Sequence, residues 1–552
     1  MFVWRKGVPQ SAGMLAAAFT AGVVLVAGPV YWSALRSPAT GIFHDDGIYL
    51  VTAQALATGH GYRITSLPAE IAQTKYPFVF PALLAAVWKI HPRFPENVLA
   101  LKLVPFACAL VWAALTYRLL RGHARNRRAP AVLIGLVSLS PWVFFLSTTL
   151  LSETLFAAGW TGALLILERA ERGEGGAGTA AGAALLAGAV FLTRTAGIAV
   201  MAGGVLVLWR QRRWKQVLVF VLVGATVAAP WLWWQAAQSP PAGHDAYYSR
   251  ANYRDWNLVF GFTPAQKARI LLTNLVSIWI APAVLAGVPA TGWGVCMALL
   301  GGAVVAAGFA RRLSRGARAM EVSTILYAGI VVLWAWPPTR LLVPVLPLML
   351  FYGYEGMVAL GRSVELPPGA ARAALASVVL MFAAQGAWAL RHPGAPGLPI
   401  AAQDGWPETA RMLAWAKAHT PQDAILAGNL DPAYYLFTGR KSIRGFTPDP
   451  YLLHYAAEDG ARPLGSAEDF LRTLDSERVT HLICAPNRAF REGPPLARLS
   501  AELVERHPER LRPVYASRDG DYRIYALTSG VPDAQFSLTP NLQASPPMLA
   551  SK

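Results

Sequence analysis

The stretch MLAAAFTAGVVLVAGPVYWSA, residues Met14–Ala34, decides the fold, because it is an unbroken apolar run of about twenty residues. A helix of that length crosses the ~30 Å hydrocarbon core of a bilayer. Similar runs recur as far as Leu390, and the whole chain is 54% hydrophobic and only 14% charged. A single secretory signal does not explain this recurrence. The sequence therefore predicts a polytopic membrane protein whose first helix is retained.

The positive charge of the chain lies mainly in short loops between apolar runs. The net charge is +18, and its clusters are Arg118–Arg128, Arg210–Lys215 and Arg311–Arg318. Loops rich in lysine and arginine stay on the cytoplasmic side of a membrane, so nucleic acid is not needed to explain the charge. We expect an inner (plasma) membrane protein with a cytoplasmic N-terminus and an extracytoplasmic C-terminal domain.

The basic clusters and the apolar runs together predict about eleven crossings. The predicted crossings are Met14–Ala34, Val98–Leu120, Ala131–Leu146, Thr154–Leu167, Thr179–Leu192, Ala196–Trp209, Val217–Ala236, Gly292–Ala310, Ser323–Trp336, Leu341–Leu360 and Ala373–Leu390. The segment Ile270–Val288 is apolar enough to cross, but a crossing there would place the cluster Arg311–Arg318 outside. We therefore predict an interfacial or re-entrant helix at this position.

Two long stretches interrupt the membrane pattern on the outer side, Arg36–Asn97 and Gln238–Arg269. Loops of that length are usually functional. In the first, Ile48–Leu56 and Pro81–Ile90 each read as a short helix with one apolar face. Such helices lie along a membrane surface, so we expect outer-side interfacial helices.

The character of the chain changes after Leu390. Residues 1–390 form the predicted transmembrane domain, Arg391–Pro399 is a Pro/Gly-rich linker that opens an extracytoplasmic α/β domain over 391–528, and 529–552 is a disordered tail. Helices are predicted at Trp406–His419 and Ser466–Leu474, strands at Ala424–Ala427 and Thr480–Ala485, and a hairpin at Val514–Ser517 and Tyr522–Leu527. The three cysteines offer no disulfide framework.

Adjacent carboxylates follow the first crossing in the segment GIFHDDGIY, which contains Asp45 and Asp46. Two like charges side by side near a low-dielectric region raise the pKa of at least one of them, which suits a general base. The alternative is that one of the two simply caps the helix that starts there.

Four further charged residues fall on the same outer side: Lys75, Glu153, Arg194 and Arg340. The positive-inside rule expects few cations there, and an arginine near hydrocarbon normally has a partner or a role. A snorkelling lysine, a salt bridge or a headgroup contact would also explain them. Taken with Asp45 and Asp46, they predict one site for an anionic, membrane-bound substrate with a carboxylate base.

These residues resemble the GT-C superfamily of integral-membrane glycosyltransferases, in its protein O-mannosyltransferase and aminoarabinose-transferase-like (family 39/83-like) branch. Asp45-Asp46 followed by Tyr49 resembles the family's acidic motif, although Glu is commoner at the second position. Gly59–Tyr62 and Lys75-Tyr76-Pro77 resemble the Gly-rich and Lys-Pro stretch downstream, with Tyr76 intervening where some members have Lys-Pro directly. The segments at Thr193-Arg194 and 340–347 are similar to later family segments.

The resemblance implies a GT-C-type helical bundle and the transfer of a sugar, hexosyl or pentosyl, from a polyprenyl-phosphate donor to a lipid, polysaccharide or protein acceptor. It implies that Asp45 is the catalytic base of an inverting displacement. The substrate-binding residues it indicates are Asp46, Tyr49, Lys75, Glu153, Arg194 and Arg340.

No cofactor is predicted. His44, Asp45 and Asp46 could ligate a metal ion, but three contiguous residues seldom converge on one ion, so a required metal is not predicted. A polytopic transporter is the main alternative, but it should carry its ionisable residues near the bilayer midplane. A non-catalytic polysaccharide or lipid assembly protein is the third possibility. In that case Asp45→Asn would leave function intact.

Overall fold

The computed structural model describes residues 10–238, 261–289, 292–394, 405–456, 462–486 and 493–528. Most of the predicted loop 238–269, the linker residues 395–399 and the tail 529–552 lie outside the described residues. The described part is a helical bundle followed by a small mixed sheet with its own helices. The predicted architecture of membrane helices with a C-terminal α/β portion is confirmed.

Helices correspond to each predicted crossing. In chain order they are α1 (Gln10–Arg36), α2 (Asp45–Ala57), α3 (Val79–Ile90), α4 (Val98–Arg121), α5 (Ala129–Ser138), α6 (Pro141–Thr148), α7 (Glu153–Glu171), α8 (Gly176–Phe191), α9 (Ile198–Arg210), α10 (Trp214–Ala237), α11 (Pro264–Leu285), α12 (Trp293–Ser314), α13 (Ala319–Val332), α14 (Thr339–Leu342), α15 (Leu346–Ser363) and α16 (Pro368–Arg391). The predicted interfacial segments are α2 and α3.

Among the described residues, seven helices are long and apolar enough to cross a membrane by length and composition, or eight if the bent pair α5–α6 counts as one span. The axes of α5 and α6 differ by 66°. Four shorter apolar helices accompany them, among them α8 and α13. The chain is an integral membrane protein, and the count of eleven crossings stays a prediction.

Contacts at one end of the bundle bring the three basic clusters together. The Arg210 guanidinium donates a hydrogen bond to the carbonyl oxygen of Ala317. The Glu171 side chain accepts one from the backbone N–H of Ala319 at 3.4 Å, and His123 Nε2 lies 3.2 Å from Glu168 Oε1. We call this the basic end. All three clusters therefore lie on the same side, as the sequence predicts.

The opposite end, here the domain end, carries α2, α3 and the C-terminal sheet. Helix α11 reaches it at mid-length, because Asn274 donates to the carbonyl oxygens of Val332 at 3.0 Å and Trp334 at 2.8 Å and accepts from the Tyr455 hydroxyl at 3.0 Å. Helix α11 is long and apolar enough to span. Its predicted interfacial or re-entrant placement stays a prediction.

The C-terminal portion is a five-stranded sheet with strand order β2-β1-β3-β5-β4. The strands are β1 (Ile425–Ala427), β2 (Lys441–Ile443), β3 (His481–Cys484), β4 (Leu511–Ala516) and β5 (Arg523–Leu527), and the helices are α17 (Trp406–His419), α18 (Asp431–Thr438), α19 (Pro450–His454), α20 (Ala467–Ser476) and α21 (Gly493–Arg506). Strands β2, β1 and β3 are parallel, whereas β5 is antiparallel to both β3 and β4. The predicted hairpin is thus the pair β4–β5.

The two portions share one apolar core. Ile48 and Val51 of α2 belong to the same buried cluster as Ile443 of β2 and Phe470 of α20. Burial of such side chains from both portions contributes about 25 cal/mol for each Å² of apolar surface removed from water. The sheet is therefore packed against α2.

Candidate active site

The acidic motif is folded by its second carboxylate. Asp46 accepts hydrogen bonds from the backbone N–H groups of Gly41 at 2.7 Å, Phe43 at 2.9 Å and Gly47 at 2.9 Å. The residue is 1% exposed. Burial raises the pKa of Asp46 to about 6, although the three N–H donors act in the opposite direction. Asp46 closes the loop over the start of α2.

Asp45, the first residue of α2, points away from this loop and meets two hydrogen-bond donors and one further cation. Its Oδ2 accepts from Arg340 Nη1 at 2.8 Å, its Oδ1 accepts from the Tyr76 hydroxyl, and Lys75 Nζ lies 3.8 Å from Oδ1. The side chain keeps 23% of its surface exposed. Burial would raise the pKa of Asp45, but Lys75, Arg340 and the Tyr76 hydroxyl outweigh burial and hold that pKa well below its usual range.

Arg340 continues from Asp45 to a second carboxylate. Its Nε donates to Glu153 Oε1, which also accepts from Arg194 Nη1 at 2.8 Å. Glu153 is the first residue of α7, and its side chain is 1% exposed. An arginine can hold two carboxylates in this way because its donors form a planar fork. Asp45, Arg340, Glu153 and Arg194 thus form one continuous polar chain.

Tyr49 joins this chain through a hydroxyl. Its phenol oxygen lies 2.9 Å from Ser152 Oγ, and Arg194 Nη1 donates to the same Oγ at 3.2 Å. Its ring packs 4.8 Å from that of Tyr76 and 5.0 Å from that of Phe80, measured between centroids. Tyr49 therefore supports both the arginine side and the lysine side of the site.

The loop that carries Lys75 is fixed by the end of α10. Gln73 Oε1 accepts from the backbone N–H of Lys75 at 2.8 Å, and Trp234 Nε1 donates to the Gln73 carbonyl oxygen at 2.9 Å. Gln235 Nε2 donates to the carbonyl oxygen of Thr74 at 2.7 Å. Because side chains at the end of a membrane helix fix the loop, Lys75 Nζ is held beside Asp45.

Burial lowers the pKa of Lys75 to about 7, and the like charges of Arg444, Arg340 and Arg194 act in the same direction, while Asp45 raises it. The lysine side chain is 19% exposed. Its ammonium lies 4.4 Å from the centroid of the Tyr76 ring. A lysine in this setting gains its proton readily when an anion arrives, since the anion offsets the neighbouring positive charges.

The structure brings together the residues that the sequence singles out. Asp45, Lys75, Glu153, Arg194 and Arg340 are in one cluster, and Tyr49 contacts it. Asp46 lies behind the cluster, with both carboxylate oxygens on backbone donors. The two carboxylates that remain in the cluster face two arginines and Lys75, so with Lys75 protonated the site carries an excess of positive charge suited to an anion.

Three side chains of the site are not among the residues predicted from the sequence: Tyr76, Ser152 and Arg444. Tyr76 lies in the Lys75-Tyr76-Pro77 segment that resembles the family's Lys-Pro stretch, so its position next to Lys75 could have indicated that it belongs to the site. Ser152 precedes Glu153 in the same way. Arg444 follows β2 of the C-terminal sheet, and nothing in the sequence indicates that this strand end approaches Lys75.

A metal ion finds no ready set of ligands in this site. Within the described ranges, no group of three or more His, Cys, Asp or Glu side chains is arranged to hold one. Asp45 and Asp46 already share their oxygens among the donors given above. We therefore derive no step through a metal, and the expectation that none is required stays a prediction.

Several solved structures share this architecture. ArnT from Cupriavidus metallidurans bound to undecaprenyl phosphate is 13% identical to this chain, with a TM-score of 0.52 over 94% of this chain and 99% of that one. The Archaeoglobus fulgidus oligosaccharyltransferase in complex with Zn and sulfate is 13% identical, with a TM-score of 0.55 over 92% of this chain and 73% of that one. The same oligosaccharyltransferase tethered to an acceptor peptide gives 13% identity, a TM-score of 0.54 and coverages of 93% and 74%.

The sequence matches no protein-family model and no curated protein. At the identities given above, structural likeness is evidence about the fold, and functions differ among proteins that share one. The chain shares the fold of these structures, a helical bundle of the GT-C type, as the resemblance implies.

Proposed function

We propose that this chain is a glycosyltransferase that moves a sugar from a polyprenyl-phosphate donor to an acceptor at the extracytoplasmic face of the membrane. One observation carries the proposal: Asp45 lies at the domain end, partly exposed, beside Lys75 and Arg340. A carboxylate base next to fixed cations is what a displacement with an anionic leaving group requires. The ArnT structure with undecaprenyl phosphate supports the choice of lipid carrier.

The reaction is a single displacement. Asp45 takes the proton of the acceptor hydroxyl as that oxygen forms a bond to the anomeric carbon. The bond between the anomeric carbon and the phosphate oxygen breaks at the same time, and its electron pair leaves with the polyprenyl phosphate. Attack from the side opposite the leaving group inverts the anomeric centre.

The cations have two tasks in this scheme. Lys75 and Arg340 stabilise the phosphate as negative charge develops on it. When no sugar donor is bound, Lys75 and Arg340 both lie beside the Asp45 carboxylate. A phosphate that competes for them raises the basicity of Asp45, because the attraction that lowers its pKa is then shared with a second anion. Binding of the sugar donor thereby makes Asp45 a stronger base.

Glu153 and Arg194 support this arrangement from behind. Glu153 Oε1 accepts from both arginines and so fixes the distance between them, and Ser152 ties Arg194 to Tyr49. We assign Asp46 to the folding of the loop rather than to direct contact with substrate, since its oxygens are occupied by backbone donors.

The assignment of the face follows from charge. The three clusters of lysine and arginine meet at the basic end, which the positive-inside rule places in the cytoplasm. The site and the C-terminal sheet are at the opposite end, and the lipid phosphate of the donor would lie at that membrane border. A site at the border also argues against a transporter, whose ionisable residues lie near the midplane.

The test is to incubate the purified full-length protein with a panel of polyprenyl-phosphate hexoses and pentoses, together with lipid, polysaccharide and peptide acceptors, and to measure release of polyprenyl phosphate. We expect release with one donor class for the wild type and a loss of at least a hundredfold for Asp45→Asn. Asp423→Asn is the matched control, because Asp423 is exposed in the C-terminal sheet region. Equal rates for the wild type and Asp45→Asn would refute the assignment of the base.

A further inference from the structure

The first turn of α18 in the C-terminal portion lies directly on the acidic motif. A Cβ atom added at Gly47 would be 2.6 Å from Pro432 Cβ, and one added at Gly41, whose φ is +75°, would be 3.1 Å from Ala433 Cβ. Real Cβ atoms almost never approach other carbon atoms as closely as 2.6 Å. Glycine at position 47 therefore allows α18 to pack closely against α2, the helix that begins with Asp45.

A buried polar cluster lies at the centre of this contact. His44 Nε2 is 3.4 Å from Asp431 Oδ1, and Arg444 Nε is 4.0 Å from the same oxygen. The side chains of Asp431 and Arg444 are each 4% exposed. Such groups lose their hydration on burial and depend on one another for compensation. The sheet portion thus contributes a carboxylate and a guanidinium to the rear of the site.

The backbone of His44 is strained. Its φ is +54°, in the region that side-chain-bearing residues rarely adopt, and it directly precedes Asp45. Strained residues of this kind persist only where the surrounding structure fixes them. Two sets of contacts fix His44. The Asp431 carboxylate lies beside its imidazole, and Asp46 accepts hydrogen bonds from the backbone N–H groups of Phe43 and Gly47, which lie on either side of it in the chain.

We propose that Asp431 is a positioning residue for Asp45: by fixing His44, the C-terminal domain sets the direction in which the catalytic carboxylate points. This inference rests on the proposed function, because it assigns Asp431 to the same site. It gives the domain a role in turnover rather than only that of a cover over the membrane helices. Arg444 adds a positive charge on the same side of the site, and that charge lowers the pKa of Lys75.

A second contact between the same two portions provides a control. Lys441 Nζ donates to the Thr65 carbonyl oxygen at 2.6 Å and to Glu70 Oε1 at 2.5 Å, and the backbone N–H of Ser442 donates to the Ser66 carbonyl oxygen at 2.9 Å. Neither Lys441 nor Glu70 contacts the residues of the acidic motif. Glu70→Gln therefore weakens docking of the sheet without changing the support of His44.

The experiment compares Asp431→Asn, His44→Asn, the double variant and Glu70→Gln in the full-length protein, with kcat and donor KM from the release assay. His44→Asn removes the imidazole that contacts Asp431, and asparagine, like histidine, is enriched among residues with positive φ. We expect kcat to fall at least tenfold in Asp431→Asn while the donor KM stays within twofold. The double variant should lose no more than the worse single variant, and Glu70→Gln should keep kcat within twofold.

Hydrogen exchange of the peptide spanning residues 41–47 gives a readout that does not need activity. We expect this peptide to exchange faster in Asp431→Asn than in the wild type, and at the wild-type rate in Glu70→Gln. Unchanged exchange in Asp431→Asn overturns the inference. So does an unchanged kcat for Asp431→Asn when Asp45→Asn is inactive. Full activity of Asp45→Asn would instead refute the assignment of the base, and no release of polyprenyl phosphate from any donor by the wild type would refute the proposed function. In either case exchange would decide whether Asp431 orders the loop.

Discussion

Arg340 joins Asp45 to Glu153: its Nη1 donates to Asp45 Oδ2 at 2.8 Å, and its Nε donates to Glu153 Oε1. The two ends of the first bond are 295 residues apart in the chain. Two separate nitrogens of one guanidinium serve two carboxylates on two helices. The ammonium of a lysine is a single point charge and cannot hold both in this geometry.

We therefore predict that Arg340→Lys lowers kcat/KM about 10- to 100-fold, because one hydrogen bond between charged groups, worth about 1.5–3 kcal/mol, is lost. The release assay measures it. Arg362→Lys, at an exposed residue in the last turn of α15, is the matched control. If Arg340→Lys retained wild-type kcat/KM, the bridging geometry would be irrelevant to turnover.

The pH dependence follows from Lys75, whose pKa is lowered to about 7. Above that pH the free enzyme loses the ammonium that meets the donor phosphate, so kcat/KM should fall as pH rises through about 7. The value of kcat should change less, because bound phosphate keeps the lysine protonated. In Lys75→Arg the alkaline decline should disappear, since arginine stays charged. A decline of equal steepness in that variant would assign it to another group.

Glu153→Gln should destabilise the protein. Removal of one partner from a buried ion pair costs about 3–5 kcal/mol, and we expect about 2–3 kcal/mol here because Arg194 and Arg340 keep some exposure to solvent. The apparent melting temperature in detergent should fall accordingly. Glu505→Gln, at an exposed position of α21, serves for comparison. Equal melting temperatures for the two variants would contradict the assigned role of Glu153.

Gly47→Ala tests the packing of α18 on the acidic motif. The added methyl group overlaps Pro432, and overpacking of this kind costs about 1–3 kcal/mol, which exceeds the 0.5–1 kcal/mol gained by placing alanine in a helix. We expect a lower melting temperature. Gly178→Ala in α8 is the control, because a Cβ there meets nothing within 4 Å. A higher melting temperature for Gly47→Ala would show that Pro432 can move away from the added methyl group without loss of stability.

The apolar runs were enough to predict the helices because lipid requires every backbone group of a crossing to be bonded within its own helix. Their ends were less predictable. The predicted crossing Thr154–Leu167 is part of α7, which extends from Glu153 to Glu171. The last turn carries charged residues that no hydropathy pattern includes, and Glu168 there is buried against His123.

Most members of the polar cluster could be picked out from the sequence, but their different contacts could not. The sequence presents Asp45 and Asp46 as equivalent neighbours, yet successive helical residues point about 100° apart, so only one of them faces Lys75. The short elements α18 and β2 were missed because they have no clear periodicity of their own. Their approach to Asp45 depends on tertiary packing, which a single sequence does not reveal.

The separations along the chain imply an order of assembly during synthesis. Arg194 and Glu153 are 41 residues apart and are both present early, whereas Arg340 is 187 residues beyond Glu153. Because the polypeptide is made from its N-terminus, Asp45 must wait for the last membrane helices before its guanidinium partner is inserted. A nascent chain that stops before Thr339 would keep the ion pair between Arg194 and Glu153, whereas Asp45 would have Lys75 and the Tyr76 hydroxyl beside it but no arginine. The guanidinium bridge that joins the two carboxylates therefore forms late in synthesis, after most of the bundle has been inserted.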